Sequence, residues 1–192
     1  DGLDWLAREM RTIFEKRCGR LLKDPWMARD DYIRVLINRS NKQREHFLKQ
    51  HAAGRLEKEK QVEVWRLLES QRMSLYMFTS CGWFFDDISG LETSQVLKYA
   101  ARAMDLVQGW ANKDLEAGLM EFLEKADSNN PDYGNGRQVY ERLVKPSRID
   151  PFRATAHYAL AALDAEVEQE TCLFSGIIRS LSRHRFEDHN FI

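Results

Sequence analysis

The chain has 192 residues, 43% hydrophobic and 11% aromatic, which is enough to bury a sizeable core in one domain, or one domain with an appendage, and argues against disorder. Its 29 basic and 30 acidic residues leave a net charge of -1, so no global field draws it to nucleic acid or to an anionic membrane. Three separated cysteines, Cys18, Cys81 and Cys172, form no CxxC pair and suit a reducing compartment, taken as the cytoplasm, and neither a signal peptide nor an apolar run of membrane-spanning length is present.

Leu3, Leu6, Met10, Ile13, Phe14, Leu21 and Leu22 recur at helical spacing and predict an amphipathic first helix. Asp24-Pro25 is a helix start, a capping carboxylate followed by a first-turn proline, so a second helix should carry Trp26, Tyr32, Ile33, Leu36 and Ile37. Trp26 reads as core rather than as a ligand platform. A break at 38–40 precedes a polar helix over 41–53, anchored by Phe47 and Leu48. Its His46 and His51 are five residues apart, which puts them on different faces and argues against a shared metal. The charged run 57–60 reads as a solvated face.

From residue 62 to 78 the pattern turns strongly apolar, through Trp65, Leu67, Leu68, Leu75, Tyr76 and Phe78, and predicts one long helix. Gln71 and Arg72 interrupt it. Buried polar groups need partners or a cavity, so these two are site candidates, with a surface salt bridge as the other reading of Arg72. Residues 79–90, Thr-Ser-Cys-Gly-Trp-Phe-Phe-Asp-Asp-Ile-Ser-Gly, form a helix-to-helix corner that holds the densest chemistry of the chain. Burial of Trp83, Phe84 and Phe85 together would anchor it. Ser89 and Glu92 are spaced as a capping box for the next helix, 91–107, whose stripe of Val96, Leu97, Ala100, Ala101, Met104 and Val107 is the clearest in the chain.

A shorter helix is expected over 112–125, then a turn-rich loop at 127–136 suited to a rim or lid. Residues 138–144 predict a short helix, and Asp150-Pro151 starts another that runs to about residue 168, with His157 as a packing residue. After Thr171 the helical period is lost and short strands are expected. The basic cluster Arg179, Arg183, His184 and Arg185 reads as solvated surface or a contact to further chain. The whole predicts a mainly α, multi-helix bundle over 1–170, with a tail at 171–192 that contributes a short β element.

The runs Leu67-Leu68-Glu69-Ser70-Gln71-Arg72, Met77-Phe78-Thr79-Ser80-Cys81-Gly82-Trp83-Phe84-Phe85-Asp86 and Ile88-Ser89-Gly90-Leu91-Glu92-Thr93, with the upstream Asp24-Pro25-Trp26 segment, resemble a helical domain of unknown function. That domain follows the catalytic domain in a subgroup of bacterial glycoside hydrolase family 57 proteins, and the resemblance covers most of residues 3–170. It implies that the catalytic carboxylates lie in a preceding α/β barrel of the same polypeptide, a hydrolase or glucanotransferase, and that this chain carries no catalytic residue. The start at Asp1 rather than methionine fits an excised piece. The helical domain would then supply the far wall of the cleft for an α-glucan or oligosaccharide. Trp83 would be the stacking platform, with Asp86, Gln71, Thr79 and Asp87 as hydrogen-bonding partners.

The residues themselves agree on what is missing. A retaining glycosidase needs two carboxyl groups about 5 Å apart, and adjacent Asp86 and Asp87 point in different directions. No GxSxG, phosphate loop, HExxH or zinc-ribbon spacing occurs, so no metal or cofactor is expected. Cys81 reads as a buried structural thiol rather than a nucleophile. The competing function is a helical scaffold that packs against a barrel or another protein without touching sugar.

Overall fold

The structure is a computed structural model and describes residues 1–84, 86–148, 151–164, 172–173 and 176–177. It is mainly α-helical, in two compact units, Asp1–Arg148 and Ile149–Ile192. The first contains α1 (Gly2–Cys18), α2 (Pro25–Asp31), α3 (Ile33–Ile37), α4 (Asn41–His51), α5 (Lys58–Tyr76), α6 (Leu91–Val107), α7 (Leu115–Leu123) and α8 (Gly136–Val139). A wide π turn, Tyr140–Val144, continues α8 and leads into a 3-10 turn, Lys145–Ser147.

The helix starts follow from short-range hydrogen bonding. The Asp24 carboxylate accepts from the N–H groups of Trp26 and Met27, Ser40 accepts from Gln43, Asp114 from Ala117 and Asn135 from Gln138. Each satisfies donors that the first turn of a helix leaves open. The helix expected over 24–37 tightens at Tyr32, where Tyr32 N–H donates to the Arg29 carbonyl three residues back, and so divides into α2 and α3.

α5 is the central helix of the first unit. Arg66 donates to the Asp105 and Leu106 carbonyls while the Tyr76 ring lies 5.1 Å from that of Tyr99, so residue numbers fall along α6 as they rise along α5 and the pair is antiparallel. α1 crosses α5 in the same sense: Arg17 pairs with Glu63, and Gln71 donates to the Met10 carbonyl. α7 lies on the opposite side of α1, with Phe122 5.8 Å from Trp5 and Lys113 bonded to Glu9. Leu6, Met10, Phe14, Val64, Leu67, Leu68, Leu97, Ala100 and Leu119 fill the space between them. Trp26 packs 5.1 Å from Phe14, in its expected core role, and Tyr32, Phe47 and Trp65 join α3, α4 and α5 in a second aromatic cluster.

Two polar pairs are built into this core. His51 is buried, with Nε2 3.0 Å from an Asp31 carboxylate oxygen. Glu63, only 6% exposed, accepts hydrogen bonds from Arg17 and Lys60. Burial works to raise the Glu63 carboxyl, but the Lys60 and Arg17 hydrogen bonds outweigh it and hold the group below its ordinary value. A carboxyl depressed in the folded state stabilises the fold fully above its unfolded value, and that contribution disappears as pH falls through the lower folded value. The melting temperature of the wild type should therefore fall across that acidic window more steeply than that of Glu63→Gln. Parallel curves for the two proteins would show that Glu63 is not linked to folding.

The second unit holds α9 (Pro151–Asp164) and an antiparallel pair, β1 (Cys172–Leu173) with β2 (Gly176–Ile177), in register Cys172 to Ile177 and Leu173 to Gly176. His157 is exposed on α9, not packed as expected. The anticipated cap Asp150, the division at 170 and the basic cluster Arg179, Arg183, His184 and Arg185 lie outside the described residues. No described helix is long and apolar enough to cross a membrane.

Candidate functional site

The corner between α5 and α6 is a 3-10 turn, Ser80–Trp83, followed by an irregular stretch to Gly90. Its tightness depends on Gly82. A β-carbon there would stand 2.2 Å from Val96 Cγ2, so only glycine lets the turn lie directly on α6. Cys81, expected to be buried, is exposed on this turn. Phe84 is 79% exposed, which overturns the expected joint burial of three aromatics. The Trp83 side chain and Phe85 lie outside the described part of the structure.

The polar candidates have different positions. Gln71 is 6% exposed and its amide donates to the Met10 carbonyl at 3.2 Å, so it joins α5 to α1 inside the bundle and faces no cavity. Arg72 pairs with Glu69, as the salt-bridge reading anticipated, and its guanidinium lies 5.4 Å from the centre of the Tyr76 ring. Thr79 donates its hydroxyl back to the Tyr76 carbonyl at 3.0 Å. Asp86 is exposed.

Asp87 is the hub of the corner. One carboxylate oxygen accepts from the Ser89 N–H at 3.2 Å, the Ser128 hydroxyl at 3.0 Å and the Asn129 N–H at 3.3 Å, and the other accepts from the Ser89 hydroxyl at 2.7 Å. The Asp87 carbonyl accepts from Thr93. Donation from the Ser89 hydroxyl and N–H, supported by Ser128 and Asn129, holds the carboxyl below its ordinary value. This also corrects the capping box. Ser89 is turned toward Asp87, and α6 begins at an N-cap, Gly90, without a side-chain bond.

The hydrogen bonds of Asp87 reach the 127–136 loop, a link that the sequence reading missed. Asn129 also donates from its side chain to the Asp86 carbonyl at 3.2 Å. The available signal was the Ser-Asn-Asn run itself, whose short side chains fold back on nearby backbone.

A second unexpected feature is apolar. Leu75, Phe78, Phe84 and Leu91 are 59%, 41%, 79% and 78% exposed, all at the corner end of the α5–α6 pair. The sequence pattern placed Leu75 and Phe78 on the buried stripe. Met73 and Met77 are buried instead, together with Ser70, Gln71 and Ser74. Elsewhere, an open groove of about 450 Å³ runs between α4 and the start of α5, with Leu48, Ala52 and Leu56 among Glu45, Lys49 and Arg55. Its charges are mixed in sign and it lies apart from the corner.

Among the described residues no group of three or more His, Cys, Asp or Glu side chains is arranged to hold a metal ion. Asp87 is engaged by four donors, which leaves Asp86 without a second free carboxylate beside it. The arrangement is that of a helical module with a stapled corner and an apolar end. The chain belongs to the family described as Domain of unknown function (DUF3536), which matches residues 1–191. No curated protein matches it. No solved structure matches it either.

Proposed function

We propose that this chain is a non-catalytic helical module of a larger carbohydrate-active protein of the glycoside hydrolase family 57 type, and that it packs through the α5–α6 corner against the catalytic barrel of the same polypeptide. The observation that carries the docking role is the exposure of Leu75, Phe78, Phe84 and Leu91 at one end of the bundle. Single exposed apolar residues are ordinary on a protein surface, but several at one end of a helix pair mark an interaction surface. The engagement of Gln71, Thr79 and Asp87 within the module supports the same reading, because it takes from the corner most of the hydrogen-bonding groups that a sugar would use. The link to a family 57 enzyme comes from the sequence resemblance. The cytoplasm is the proposed compartment, on the strength of the separated cysteines, with Cys81 an exposed thiol.

A direct sugar contact is the second reading. It is favoured by Phe84 and Asp86, which stand two residues apart and are both exposed, an apolar face beside a carboxylate. The test compares amide hydrogen exchange of the isolated chain with that of the full-length polypeptide, with and without maltooligosaccharide. Docking predicts protection of residues 75–91 in the full-length protein before any sugar is added, and its loss in a Phe78→Ser/Phe84→Ser variant. Protection that arises only with sugar would favour the second reading. Identical exchange in every sample, or a full-length polypeptide without a barrel, would reject the proposal.

A further inference from the structure

We propose that residues 127–136 form a strap latched to the corner by the Asp87 carboxylate, able to open as a unit while the helices stay folded. The strap is closed on itself. Gly136 N–H donates to the Ala126 carbonyl and Ser128 N–H to the Gly134 carbonyl, both at 2.8 Å, and Gly134 takes the left-handed conformation, φ 68°, that the return turn needs. Within it, Asn130 N–H donates to the Ser128 hydroxyl, Asp132 N–H to the Asn130 side chain, and Tyr133 N–H to the Asn130 carbonyl. These bonds do not depend on the corner. They give the strap a shape of its own.

Its base is fixed. A β-carbon on Gly136 would stand 2.6 Å from Ile88 Cδ1 and 2.9 Å from the Leu123 carbonyl oxygen, so the chain is pinned where the strap rejoins the bundle. At the corner side the strap is held by the Ser128 hydroxyl and Asn129 N–H on one oxygen of Asp87, and by the Asn129 side chain on the Asp86 carbonyl. On the far side Arg142 donates to the Asp132 carbonyl at 2.5 Å, and Tyr133 is half-buried against the core. Asp87 is itself tied to the start of α6 through Ser89 and Thr93. One carboxylate therefore joins two segments some forty residues apart in sequence, and a bond to a charged group is the strongest kind available to hold such a loop. Resting on the docking reading above, the strap is the part of the module that adjusts to the barrel, because it borders the docking end and moves at less cost than any helix.

The test uses the isolated chain and does not depend on the barrel. Chymotrypsin cleavage after Tyr133 reports strap opening, and cleavage after Phe152, which is 88% exposed on α9, serves as the internal reference. Loss of the charged acceptor in Asp87→Ala should speed cleavage after Tyr133 by about tenfold or more, and Ser128→Ala by a smaller factor, with helical circular dichroism and cleavage after Phe152 unchanged. If Asp87→Ala loses its helical signal, Ser128→Ala decides alone, since it removes one hydroxyl from the strap side of the latch. Unchanged cleavage after Tyr133 in the folded variants, or an increase that only matches faster cleavage at every other site, overturns the proposal.

Discussion

Phe14→Ala should lower the stability of the first unit by about 3–5 kcal/mol, the range for truncating a large buried aromatic. Phe14 is completely buried on α1, where its ring meets Trp26 at 5.1 Å. The substitution removes the lost transfer energy and also leaves a void that neighbours fill only in part, since α1 is fixed to α5 by Arg17–Glu63 and Gln71–Met10 and cannot settle inward. Urea denaturation gives the measurement, with the midpoint shifted and the slope unchanged. A loss below about 1 kcal/mol would mean that the α1–α2 contact is not part of the core.

Gly82 gives the second large effect. An alanine there meets Val96, which is 3% exposed and stiff at χ1 because it is β-branched and helical. The turn must lift from α6 or the helix must shift, and overpacking of this kind costs about 1–3 kcal/mol. Val96→Ala makes room for the added methyl. The double variant should therefore be more stable than the sum of the single effects allows, with a coupling above about 0.5 kcal/mol in a double-mutant cycle. Additive effects would show that the turn does not rest on Val96.

What could be read from sequence was set by the range of the interactions. The Asp24-Pro25 start was legible because a carboxylate bonds to N–H groups two and three residues ahead, and α6 was legible because its apolar stripe repeats without interruption. The same local logic failed at Ser89, whose spacing to Glu92 suits a capping box, because Asp87 offered its hydroxyl a nearer acceptor. Periodicity identified α5 as a helix but not how far along its length it is covered, so Leu75 and Phe78 were taken for core. The site candidates were chosen by residue type. Their partners, Met10 for Gln71 and Ser128 for Asp87, are 61 and 41 residues distant and carry no local signature.

The π turn at Tyr140–Val144 sets the angular phase of everything that follows it in the first unit. A turn of this kind accommodates one residue more than an α-helical turn, and each residue in a regular helix advances the chain by about 100°. Arg148, at the end of this stretch, donates to Asp105 of α6 and Glu116 of α7 at once. Deleting a single residue between 140 and 144 would restore regular winding and at the same time rotate that guanidinium about a quarter turn or more away from both carboxylates. The length of this segment is therefore under tighter constraint than its composition: substitutions on its exposed side are absorbed, whereas a change of one residue in either direction unfastens the last bond by which the chain is held as it leaves the bundle.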